Sequence, residues 1–141
     1  MIIKQVSIFL ENRSGQLLEI TDLLAKNNVD LWAMNIAETS DYGIVRIVPD
    51  DVTKAQETLK ENGYIFSVND VVAAEVPNTP GGLHNLLADV TKDNINVEYM
   101  YSIFSEKSGS AWMVIKVNEP HKLLEIIEKT RKADVVDLKQ K

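Results

Sequence analysis

Asn78-Thr79-Pro80-Gly81-Gly82-Leu83 is the stretch on which the reading of this chain turns. An apolar run precedes it (Val71, Val72, Ala73, Ala74, Val76), and apolar residues at helical spacing follow it (Leu83, Leu86, Leu87, Val90). The pattern predicts a strand, a tight glycine turn and a helix start meeting at one corner. Adjacent glycines permit positive φ and the close approach of another group. The helix that opens there presents unpaired N–H groups and the positive end of its dipole, a setting that holds a carboxylate or a phosphate. The plainer use of the same residues is a turn and a cap.

The corner occurs twice. Asn12, Gly15 and Leu17 recur 66 positions on as Asn78, Gly81 and Leu83, and Ile20, Leu24, Val29 and Met34 recur at that spacing as Leu86, Val90, Ile95 and Met100. After the next turn the spacing is 68, with Ala55 matching Leu123 and Leu59 matching Ile127. A two-residue insertion in a turn is what a duplicated unit tolerates.

Outward from the corners, each half reads βαββαβ. In the first, the strand Lys4 to Leu10 leads to a helix capped by Ser14 and stopped at Asn27-Asn28. Strands Val29 to Glu38 and Ile44 to Val48 follow around a turn at Ser40-Asp41-Tyr42-Gly43. A helix capped by Asp50 or Asp51 ends at Asn62-Gly63, before a strand from Tyr64 to Val68. The second half runs Asp70 to Val76 (strand), Leu83 to Asp93 (helix), Val97 to Phe104 (strand), a turn at Ser105 to Gly109 and Ala111 to Val117 (strand). A helix opened by Pro120 and a short strand at Val135 to Leu138 complete it. The expected domains are residues 1–69 and 70–141. The expected class is α+β: two ferredoxin-like units, each an antiparallel sheet with helices on one face.

In the second strand of each half, apolar residues fall on both parities: Trp32, Met34 and Ile36 against Leu31, Ala33 and Ala37, and Val97, Tyr99, Tyr101 and Ile103 against Met100 and Phe104. Units of this size bury only a modest core. The halves are therefore expected to pack together, and two chains to form a homodimer through residues such as Trp32, Met100 and Tyr101.

Composition narrows the function. The 141 residues are 45% hydrophobic and 26% charged, with net charge −6 and pI about 4.9. That balance opposes a nucleic-acid surface or an anionic membrane surface. There is no cysteine, which removes disulfides, thiolate metal sites and cysteine nucleophiles. Met1-Ile2-Ile3-Lys4-Gln5 lacks the pattern of a signal peptide, and no apolar run approaches the roughly 18 residues of a membrane span. The expectation is a soluble cytoplasmic protein without a cofactor or metal. His84 and His121 each open a helix with no i+4 partner, Asp50-Asp51 reads as capping, and Glu128-Lys129-Thr130-Arg131-Lys132 reads as a solvated helix end.

The βαββαβ unit with Asn-x-Pro-Gly-x-Leu between its first strand and first helix resembles the ACT domain. Asn78 to Leu83 matches that motif throughout; Asn12-Arg13-Ser14-Gly15-Gln16-Leu17 matches except that Ser14 replaces the proline. The resemblance covers nearly the whole chain as a tandem pair. It implies a non-catalytic regulatory module that binds an amino acid at an interface between units, against the loop between the first strand and first helix of a unit. The implied ligand-binding residues are Asn12, Arg13, Ser14, Gly15 and Gln16 in one half and Asn78, Thr79, Pro80, Gly81 and Gly82 in the other. Serine-binding members also use an asparagine at the start of the second strand; Asn96 matches it, whereas Asp30 stands there in the first half. A further polar ligand residue of those members is replaced by Leu10 and Val76. Two other readings share the topology. An acylphosphatase-like enzyme would use Arg13 and Asn35, but Thr79 and Tyr101 occupy those places in the second half and the glycine-rich loop is missing. An RNA-recognition module stacks bases on third-strand aromatics, which Ile44 to Val48 lacks.

Overall fold

Alternation of Val6, Ile8 and Leu10 with Ser7 and Phe9 gives β1 (Ile2–Glu11) one apolar face, and that face seats the first core. The computed structural model describes residues 1–38, 41–104, 109–130 and 140–141. After β1 come α1 (Gln16–Lys26), β2 (Leu31–Glu38), β3 (Tyr42–Pro49), α2 (Val52–Glu61), β4 (Ile65–Pro77), α3 (Gly82–Lys92), β5 (Val97–Ile103), β6 (Ser110–Val117) and α4 (Pro120–Thr130). The last strand expected at Val135 to Leu138, most of the turn at Ser105 to Gly109, and Arg131-Lys132 lie outside the described residues.

The chain divides into two compact units. One is Lys4–Asn69 with Lys139–Lys141; the other is Asp70–Leu138 with Met1–Ile3. These differ at their outer ends from the expected limits of 1–69 and 70–141. At one end, the Met1 ammonium donates to Ala73 O at 2.9 Å and the Ala73 N–H donates to Met1 O at 2.8 Å. At the other, the Gln140 amide donates to Lys4 O and Pro49 O, and Lys141 N–H donates to Asp50 O.

In the first unit the strand order is β2-β3-β1-β4, with β3 antiparallel to both β1 and β2. Ile20 and Leu24 of α1 and Ala55 and Leu59 of α2 share a core with Val6, Ile8, Leu10, Val45 and Ile47. Both helices therefore cover the same sheet face. Asp51 caps α2 by accepting from Lys54 N–H at 3.0 Å. The second unit has the order β1-β4-β6-β5, where β6 is antiparallel to β4 and β5. Leu86 and Val90 of α3 and Leu123 and Ile126 of α4 close its core over Val72, Ala74, Val76, Ile115 and Val117.

Two local expectations change. The strands read separately at Tyr64 to Val68 and Asp70 to Val76 are one element, β4, since no glycine or proline interrupts them. Strict alternation also breaks down along the second strands, because a bulge interrupts the register between Leu31 and Ala33 in β2 and again between Val97 and Tyr99 in β5. The extra residue brings Leu31 and Met34 to the first core, and Val97 and Met100 to the second. Met100 thus packs beneath the helices and Tyr101 is only 8% exposed, so neither offers the open surface expected for pairing two chains.

Leu123 is fully buried, whereas Leu18 is 75% exposed. Leu123→Ala is expected to cost about 2–5 kcal/mol in urea unfolding, and Leu18→Ala about 0.5 kcal/mol or less.

Candidate functional site

The two corners have the same backbone. Gly15 (φ +87°) and Gly81 (φ +85°) are the N-caps of α1 and α3, in the left-handed region that glycine alone enters without strain. Ser14, expected to cap α1, stands one residue too early, and no side chain caps either helix. Gly15 O accepts from Glu19 N–H at 3.0 Å and Gly81 O from Asn85 N–H at 2.9 Å. One residue on from each glycine, Gln16 N–H donates to Arg13 O and Gly82 N–H to Thr79 O. The amides of Leu17 and Leu18, and of Leu83 and His84, are left without partners among the described residues. Asn12 N–H donates to Asp41 O at 3.2 Å, and Asn78 N–H to Gly109 O at 3.1 Å, which ties each corner to the turn before the third strand.

Gly82 has a further requirement. A Cβ there would collide with the carbonyl oxygen of Pro77, whereas one built at Gly15 or Gly81 meets nothing within 4 Å. The second corner is therefore bare backbone by necessity, with the helix start pressed against the end of β4.

Side chains make the corners different. In the first, Arg13 Nε lies 3.3 Å from Glu11 Oε2 and its Nη2 lies 3.8 Å from Glu19 Oε2. Turned with its oxygen toward the guanidinium, the Gln16 amide accepts from Arg13 Nε at 3.1 Å and from Nη2. Tyr64 donates its hydroxyl to Glu19 Oε1 at 3.0 Å. Burial raises the Tyr64 pKa above its usual value of 10.0; the hydrogen bond to Glu19 and the negative charge of Glu19 add to this, and Arg13 opposes it. The second corner has Pro77, Thr79, Gly82 and Asn85 where the first has Glu11, Arg13, Gln16 and Glu19. No acidic residue stands in the first turn of α3, and the Asn78 side chain has no partner among the described residues.

Asp30 and Asn96 lie elsewhere. Asn96 N–H donates to Asn118 Oδ1 at 3.2 Å, beside the Val97–Val117 pair, while the corner adjoins the Pro77–Ser110 pair. Seven residues of β6 separate those pairs, about 23 Å at strand rise. Asp30 N–H likewise donates to Asp50 Oδ1 at 2.9 Å, by the Leu31–Pro49 pair, whereas Asn12 follows the Glu11–Tyr42 pair. Within a unit, the structure brings together the corner residues but not the residue at the start of the second strand. Sequence patterns omitted Glu19 and Tyr64; only Glu19, at helical spacing after the corner, left a signal. Asn35 Oδ1 accepts from Arg46 Nη1 at 3.2 Å, so the two residues of the acylphosphatase-like reading, Arg13 and Asn35, each have partners of their own.

A groove of about 200 Å³ lined by Asp93, Lys122, Glu125, Ile126, Lys129 and Thr130 lies by the C-terminal end of α3, away from the corner. Among the described residues no group of histidine and acidic side chains is placed to hold a metal, and no helix is long and apolar enough to cross a membrane.

Two α+β units, each opening its first helix on a left-handed glycine, define a ferredoxin-like pair. The chain belongs to the ACT domain family: the model of an ACT domain pair matches residues 1–140. A Bacteroides thetaiotaomicron protein of known structure is 39% identical over 99% of this chain and 95% of its own, with a TM-score of 0.90. The fold is shared by the regulatory subunits of aspartate kinase from Thermus thermophilus and Thermus flavus. The first, in ligand-free form, has a TM-score of 0.65 at 12% identity, with 92% of this chain and 94% of that one covered. The second has a TM-score of 0.61 at 14% identity, with the same coverage of 92% and 94%. No functionally curated protein shows significant sequence similarity to the chain.

Two measurements check the corner geometry. Gly81→Ala forces a side chain into the left-handed region and is expected to cost about 1–2 kcal/mol; Gly82→Ala, which strikes backbone, is expected to cost more in the same unfolding assay. Tyr64 is expected to ionise above pH 10 in an ultraviolet titration, with Glu19→Gln lowering its midpoint. Because the folded-state value is the raised one, the stabilisation from the neutral hydroxyl is complete below the unfolded-state value and is lost as pH rises through the folded-state value.

Proposed function

We propose that this protein is a non-catalytic amino-acid sensor, and that a small amino acid binds at the second corner, between Asn78 and Gly82, in an assembly of two chains. One observation carries the reading: the start of α3 is bare. Among the described residues its Leu83 and His84 amides have no partner and no carboxylate occupies its first turn, and Gly81, where a Cβ would meet nothing within 4 Å, admits close approach. Such a terminus suits the carboxylate of a free amino acid. The Asn78 amide offers a donor and an acceptor for the remaining polar groups. Membership of a family of paired ACT domains, and the likeness of fold to regulatory subunits, support a regulatory role over a catalytic one. Asn96 lies too far from the corner of its own unit to complete the site there; in this reading it serves the corner of a second chain.

A thermal-shift screen of the common amino acids is the first test, since a ligand at about 100 times its dissociation constant adds roughly 2.7 kcal/mol. For an amino acid that shifts the melting temperature, Asn78→Ala is expected to weaken calorimetric binding about ten- to hundred-fold, the cost of one hydrogen bond to a charged group. Asn96→Ala is expected to weaken it as well. Unchanged affinity in Asn78→Ala, with the fold intact by circular dichroism, removes the second corner as the site. Light scattering at micromolar concentration is expected to report a dimer; a clean monomer excludes the two-chain site. Acyl-phosphate hydrolysis is expected to be absent, and turnover lost in Arg13→Ala would favour the enzyme instead.

A further inference from the structure

The duplication leaves this chain with two corners of the same backbone but opposite furnishing. At the first, the side chains of Glu11, Arg13, Gln16 and Glu19 converge, and Tyr64 reaches over from the residue preceding β4 to hold Glu19 at 3.0 Å. Two carboxylates and one guanidinium meet there, a local charge of −1, against none from the four matching positions of the second corner. The ion pairs are exposed, with Arg13 54% and Glu19 58% accessible, and each contributes little to stability. Their effect on an incoming anion is a separate matter. Glu19 already supplies negative charge in the first turn of α1, where a bound carboxylate would otherwise gain from the dipole. Arg13, the cation of this corner, is engaged by Glu11, Glu19 and Gln16.

We infer that Glu19, held by Tyr64 and Arg13, is a built-in occupant of the first corner and bars it to anionic ligands, so that the two corners of the chain are functionally unequal. This concerns the corner that the amino-acid reading leaves unused, and it stands or falls independently of what the second corner binds. The consequence is a specificity device within one chain: Glu19 and Tyr64 close one copy of a duplicated site while its twin stays open.

The test reads backbone amides, one corner at a time. Inorganic phosphate is titrated into isotope-labelled protein at constant ionic strength, and the amide resonances of Leu17 and Leu18 are followed in wild type and in Glu19→Gln. The substitution removes the Glu19 charge and its pairing with Arg13, which keeps Glu11 and Gln16, while the new amide oxygen still accepts from Tyr64; because Glu19 is more than half exposed, the fold is expected to survive. Tyr64→Phe, which releases Glu19 without removing it, is the second variant and is expected to give a smaller response. In wild type the two amides are expected to stay still. In Glu19→Gln they are expected to shift, with apparent phosphate affinity up by about two- to fivefold, the order expected for relieving an exposed like charge at a helix N-terminus. Wild-type shifts at Leu17 and Leu18 as large as in the variant overturn the inference, as does a Glu19→Gln protein as silent there as wild type. Failure of the amino-acid reading shows separately, as the absence of any amino-acid response at Leu83 and His84.

Discussion

A left-handed residue at a helix N-cap turns the chain sharply enough to lay the helix back over the strand it has just left. In this protein that residue is Gly15 in one unit and Gly81 in the other, and much else depends on it. The turn sets α1 over Val6, Ile8 and Leu10, and α3 over Val72, Ala74 and Val76, so that Ile20, Leu24, Leu86 and Val90 reach their cores. At the second corner the approach is so close that residue 82 must be glycine as well, because the Pro77 carbonyl occupies the space of a side chain. The same geometry that closes the core leaves helix N–H groups unpaired at the surface. A stable fold and a helix terminus with unpaired N–H groups are thus consequences of one backbone constraint.

Duplication has preserved the supports of that constraint with some precision. The N–H of Asp30 is held by the side chain of Asp50, and that of Asn96 by the side chain of Asn118. Each second strand bulges one residue after its first, and each first helix is followed by a left-handed asparagine, Asn28 or Asn94. What has diverged is the set of side chains around the helix start. Backbone geometry tolerates that divergence because the glycine caps need no side-chain partner. One corner could therefore acquire charged residues and the other lose them without disturbing either core.

Where the chain's ends settle follows different physics. Met1–Ile3 belongs with Asp70–Leu138, and Lys139–Lys141 with Lys4–Asn69. Main-chain groups at a strand edge require partners from whichever segment lies alongside, and sequence periodicity carries no information about which segment that is.

The amino-acid sequence by itself determined the repeat, the βαββαβ order, the helix-covered faces and the two glycine corners, since each rests on local periodicity or on the conformational freedom of glycine and asparagine. Asn-x-Pro-Gly-x-Leu, present twice in nearly full form, was enough to indicate the family. Only the tertiary structure decided the rest. The bulges after Leu31 and Val97 moved Met100 beneath the helices, which a strict alternation of two could not anticipate. Ser14 lost the cap to Gly15, a difference of one residue that depends on the path of the turn. Above all, Tyr64 meets Glu19 across 45 positions of sequence to furnish one corner, and Asn96 stands a strand's length from Asn78. Contacts between residues far apart in the chain depend on how strands pair and twist, and no local pattern records them.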